Sequence, residues 1–86
     1  MRRNFTILNE RGLHARAAAR FVAALDAFSA TVEVEKDGMK VSGRSIMGLM
    51  MLGAAIGTTI EVEACGDDAG VALDALGRLV GNRFDE

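Results

Sequence analysis

His14 is the only histidine in 86 residues, and the stretch that holds it, GLHARAAARF from Gly12 to Phe21, sets a glycine turn before it and two arginines, Arg16 and Arg20, behind it. If a helix starts just after His14, the backbone N–H groups of its first turn have no acceptor inside the helix. Such an end attracts anions. Aligned peptide dipoles place partial positive charge there, and Arg16 adds a full charge on a forked donor suited to phosphate oxygens. A neutral imidazole at that position can attack phosphorus, and the field of the helix start favours the neutral form. The plainer alternative is an exposed cap residue followed by a solvated arginine. A zinc site lacks its ligand set, since one histidine and one cysteine stand far apart in the chain. There is neither a GxxxxGK[ST] loop nor a second histidine to serve as base, so phosphoryl chemistry here must borrow its donor.

The elements that would position this histidine must come from one small domain, residues 1–86, long enough for a modest core without disulfides. No apolar run approaches the ~20 residues of a membrane helix, and MRRNFTILNE lacks the apolar segment of a secretory signal. With a lone cysteine, Cys65, this reads as a cytoplasmic chain that does not insert in membranes, with Cys65 expected as a small buried hydrophobe. A net charge of −2, with four Phe and no Tyr or Trp, argues against nucleic acid as a partner.

Alternation and helical spacing order the elements. Asn4 to Leu8 reads as a short strand ending at the polar turn Asn9-Glu10-Arg11-Gly12. Ala18, Phe21, Val22, Leu25 and Phe28 form one helical stripe over Ala15 to about Phe28. Val32 and Val34 alternate with Glu33 and Glu35 in a strand over Thr31 to Lys36, and Asp37-Gly38 turns it into Met39 to Ser42. Ser45 stands as N-cap of a short helix from about Ile46 to Leu52, which Gly53 to Gly57 ends. Thr58 to Ala64 alternates again, with Ile60 and Val62 opposite Glu61 and Glu63. Asp67-Asp68 then caps a long helix carrying Ala69, Leu73, Leu76 and Val80. The order is βαββαβα, an α+β domain with helices on one sheet face and glutamates on the other. Periodicity leaves the strand arrangement open, since ferredoxin-like domains share the first six elements.

Two segments together carry a resemblance. GLHARAA is similar to the GLHARPA signature of HPr, the histidine-containing phosphocarrier family of the bacterial phosphoenolpyruvate-dependent phosphotransferase system, and GRSIMGLMMLGA resembles that family's second signature around a regulatory serine. The similarity runs over nearly the whole chain, through GTTIEVEACG and the terminal helix. It implies an HPr-like open-faced β-sandwich, a four-stranded antiparallel sheet covered on one face by three helices. It implies that His14 takes a phosphoryl group on Nδ1 from phosphorylated enzyme I and passes it to a histidine of an enzyme IIA domain. Arg16 and the amides of Ala15 and Ala17 would contact that group. Ser45 would be the serine modified by an HPr kinase/phosphorylase, and Arg20, Ile46, Met47 and Met50 would belong to a docking face for partners. A monomer with no cofactor and no metal is implied, a phosphoryl-transfer intermediate without turnover of its own. The family's proline after the arginine is replaced by Ala17, which keeps a backbone N–H there. The look of IMGLMML and GTTIEVEA leans toward regulatory branches, the nitrogen-related one included, over dedicated sugar transport.

Two other functions remain on the sequence. An adapter of the same fold would bind regulators through the helix face while His14 stays uncharged. An acyl carrier on Ser45 fits poorly, since the chain is sheet-rich and lacks the Asp-Ser-Leu attachment pattern.

Overall fold

Alternating valine and glutamate commit a strand to one buried and one wet face, and the computed structural model, which describes Met1–Glu86, shows where each face goes. The chain runs β1 (Arg2–Thr6), α1 (Ala15–Ala24), β2 (Thr31–Lys36), β3 (Met39–Ser42), α2 (Ile46–Met51), β4 (Thr59–Cys65) and α3 (Ala69–Gly81). One antiparallel sheet holds the strands in the order β1-β4-β2-β3, which resolves the arrangement that periodicity leaves open. Val34 faces Val62 across the β2–β4 ladder, and Phe5 faces Ile60 across β1–β4. Ala17, Ala18 and Phe21 of α1, Leu49 of α2 and Ala72, Leu73, Leu76 and Val80 of α3 are buried with Val32, Val34, Ile60, Val62 and Ala64 of the sheet. Fully burying a side chain of the Leu, Val or Phe type stabilises by ~1.5–3 kcal/mol, so this single layer of contacts holds helices to sheet.

The wet face is acidic in a particular way. Glu33 lies opposite Glu63, and Glu35 opposite Glu61, so two like-charged pairs sit side by side on β2 and β4. Direct like-charge opposition costs stability. Arg2 relieves part of it by donating to the Glu63 carboxylate at 3.0 Å from β1.

The structure corrects several boundaries and two environments. β1 lies two residues earlier than expected and ends at Thr6, and β4 starts at Thr59 and runs to Cys65. α1 stops at Ala24 in a 3-10 turn, Leu25–Ala27, and Phe28 is already extended, so the stripe's last member packs on the core from a loop. Cys65 is exposed, not buried. Ile60, Val62 and Ala64 take the inward positions of β4, so the period of two sends Cys65 outward. Asp68 does occupy the N-cap of α3, but its carboxylate makes no cap bond. It accepts instead from the backbone N–H groups of Ser29 at 2.7 Å and Ala30 at 2.8 Å, tying the end of the α1–β2 loop to the start of α3. The Ser29 N–H holds the Asp68 carboxyl below the usual carboxylate range, against a smaller opposing effect of burial and with further help from Ala30.

Candidate functional site

His14 is the N-cap residue of α1, with φ −75 and ψ −179, and its side chain makes no cap hydrogen bond. The Ala18 N–H donates to the His14 carbonyl at 2.8 Å. The N–H groups of Ala15, Arg16 and Ala17 before it have no acceptor within the chain. Three free amides and the positive end of α1 thus converge where an anion beside the ring would sit. Ala17 contributes the third of these donors, which a proline at that position could not. Arg16 is exposed and pairs with no carboxylate.

The loop before α1 is held by Gly12, whose φ is +63. A Cβ there would overlap the Ala54 carbonyl, so only glycine allows the two loops this close. Leu13 then donates its N–H to the Ala54 carbonyl at 2.9 Å. The imidazole consequently faces Gly53, Ala54 and Ala55 across an open hollow of about 210 Å³, with Arg11 and Leu13 at its side.

Both ring nitrogens face oxygen. Nδ1 lies 3.1 Å from the Gly12 carbonyl, and Nε2 lies 3.7 Å from Oε1 of Glu86. The same Gly12 carbonyl accepts from Nδ2 of Asn9 at 2.8 Å, and that amide also donates to Glu86 Oε1 at 3.2 Å. Oε2 of Glu86 accepts from the Arg11 N–H at 3.4 Å. Burial pushes the Glu86 carboxyl up, but the Asn9 amide, the Arg11 N–H and the nearby charges of His14 and Arg11 together hold it below the usual carboxylate range.

Glu86 reaches the ring through an unusual last turn. Arg83, Phe84 and Asp85 all have left-handed φ, between 54 and 58 degrees. Each such non-glycine residue costs roughly 1–2 kcal/mol. Phe84 offsets this by filling the core, 1% exposed, while Arg20 of α1 donates to its carbonyl. Arg20, expected on the docking face, is therefore engaged with the final turn.

Ser45 is the N-cap of α2, and its Oγ accepts from the Gly48 N–H at 3.0 Å. Arg44 before it spreads its guanidinium over the carbonyls of Leu25, Phe28 and Ala30 at 2.9–3.1 Å, fastening α2 to the end of α1. Leu49 alone of α2 is fully buried, while Ile46, Met47, Met50 and Met51 are exposed, Met47 at 72%. The short helix therefore offers an apolar surface. Among the residues the sequence reading passed over are Asn9, buried in what looks like a polar turn, and Glu86, 72 positions from His14. Neither has a local signal, because each acts through a fold contact.

The fold and this geometry define a class of protein: a small open-faced α+β domain with a histidine and three free amides at the start of α1. A model of the PTS HPr component phosphorylation site matches residues 1–82. Phosphocarrier protein HPr of Cupriavidus necator is 44% identical over 86 residues, covering 100% of this chain and 97% of the relative. Phosphocarrier protein NPr of Shewanella violacea is 41% identical over 100% of this chain and 94% of its own length. The crystal structure of HPr-C-His from Thermoanaerobacter tengcongensis superposes with a TM-score of 0.94 at 43% identity, over 100% of this chain and 97% of that one. The chain belongs to the HPr family, the phosphocarriers of the phosphotransferase system.

Proposed function

We propose that this chain carries a phosphoryl group on Nδ1 of His14, taken from phosphorylated enzyme I and delivered to a histidine of an enzyme IIA domain. The single observation that carries the reading is the set of three unpartnered amides, Ala15 to Ala17, beside the ring. Donors already in place before the charge arrives stabilise it without reorganisation. Arg16, unpaired and exposed, supplies the mobile charge. Because Nδ1 rests against the Gly12 carbonyl, the ring must present a bare Nδ1 and move off that oxygen before it attacks.

The exposed face of α2 supports docking through Ile46, Met47 and Met50, flexible side chains suited to several partners. Phosphate on Ser45, added by an HPr kinase/phosphorylase, would make the Oγ that now caps Gly48 an ester oxygen and set an anion at the edge of this apolar surface, so docking would respond before folding does. The site is proposed to work in the cytoplasm without cofactor or metal.

Intact mass after mixing with phosphoenolpyruvate and enzyme I tests the reading. The expected product is an acid-labile phosphoryl adduct that His14→Ala abolishes. No adduct from an enzyme I that charges another carrier would replace it with a regulatory adapter that binds through the α2 face.

A further inference from the structure

α1 begins without a cap bond. His14 holds the N-cap position but its ring bonds none of the first-turn amides, and Ala17, whose N–H is one of the two that an N-cap side chain engages, is fully buried with that donor unmet. We propose that the phosphoryl group on His14 is the cap that α1 lacks, and that the Ala17 N–H makes this chain hold the group more tightly than a carrier with proline at the same place. This rests on the carrier reading above and deepens it.

An unpaired N–H in a buried residue is a standing cost to a fold. The chain offers this one nothing: no backbone carbonyl or side chain accepts from Ala17, and the first turn of α1 carries no acidic residue. An anion borne on the N-cap side chain itself reaches the third amide as a cap oxygen does, once the ring has left the Gly12 carbonyl that Nδ1 now faces at 3.1 Å. Its oxygens then take hydrogen bonds that the helix leaves open, and bonds to a charged acceptor are the stronger kind. The dipole of α1 would act in this sense with any residue at position 17. The third donor would not, since proline has no N–H to give.

One contact acts in two directions. A phosphoryl group that satisfies an otherwise orphaned donor stabilises the folded charged chain against its unfolded form, and the folded chain by the same amount retains the group. Exchange between two chains through enzyme I isolates this effect. The Nδ1–P bond of the first chain breaks with its electron pair left on Nδ1 as an N–P bond forms on the enzyme I histidine, and the reverse charges His14 of the second chain. Bonds and protons therefore cancel between the chains, so the equilibrium reads only the surroundings of His14. A chain so built takes the group up readily and releases it less readily.

The test pairs the full chain with Ala17→Pro, which deletes this single donor. Charged parent, mixed with an equal amount of uncharged Ala17→Pro and a trace of enzyme I, should at equilibrium retain about ten times more phosphoryl group than the variant, read by intact mass. Charging should also raise the melting temperature of the parent by more than that of Ala17→Pro. In the parent alone, the Ala17 amide proton should move downfield on charging and exchange more slowly with solvent, a readout that stands even where proline disturbs the helix. An even distribution between two folded chains overturns the proposal alone, and so does an Ala17 amide that charging leaves unmoved. Failure of the parent chain to charge at all brings down the carrier reading first and this one with it.

Discussion

Arg16 lies two residues from His14, and its exposed guanidinium makes no ion pair. Arg20 is spent on the Phe84 carbonyl and Arg44 on three loop carbonyls. Truncating Arg16 should therefore separate mechanism from stability. In Arg16→Ala we expect phosphoryl uptake to slow by about tenfold or more, from the loss of a charge-assisted contact to the transferring group, with an unchanged melting temperature. Rapid-quench uptake and a thermal scan on the same sample would check both. Equal uptake rates would remove Arg16 from the chemistry. Ala17 makes a related point, because its N–H has no acceptor and its side chain is buried. The position tolerates a missing donor as far as the helix is concerned, so what alanine adds over proline is felt by a bound anion alone.

The two signature segments depend on one another through their ends. Gly12 and Ala54 touch backbone to backbone, and Ser45 starts the helix that leads to Ala54. Gly12→Ala should cost about 2–4 kcal/mol by denaturant unfolding, since it adds a clash to a left-handed φ, and it should displace His14 as well. Ser45→Ala should cost about 1 kcal/mol, the worth of one N-cap, and leave His14 where it is. A larger loss for Ser45 than for Gly12 would reverse this account. The existence of α1, α2 and α3 is legible in the sequence because each carries its own cap or stripe. The end of α1 is not, since Phe28 keeps helical spacing while its backbone has already turned extended to let Arg44 reach the Leu25, Phe28 and Ala30 carbonyls. His14, Arg16 and the amides are legible for the same local reason. Asn9 and Glu86 are not, because a buried amide and a carboxylate delivered by three left-handed residues are recognisable through tertiary contacts only.

Acid should weaken the whole domain in a defined window. Asp68 held by the Ser29 N–H, Glu63 held by the Arg2 guanidinium, and Glu86 held by Asn9 and its neighbours all lie below their ordinary values in the folded chain. A depressed folded value means that the unfolded chain binds protons first on acidification. The stabilisation is thus complete above the unfolded carboxylate range, about pH 4, and drains away as pH drops through the folded values. Chemical unfolding at pH 7 and pH 3 should show lower stability at pH 3, with Asp68→Asn losing part of that difference. A pH-independent midpoint would contradict it.

The paired glutamates of β2 and β4 have an effect beyond the single chain. An open sheet with no cover is an invitation for a second sheet to stack on it, and a row of four mutually opposed carboxylates withdraws that invitation at neutral pH. A second copy approaching this side would meet the same carboxylates, offset only in part by Arg2 and Lys40. The exposed methionines of α2 lie on a surface with no such opposed pairs.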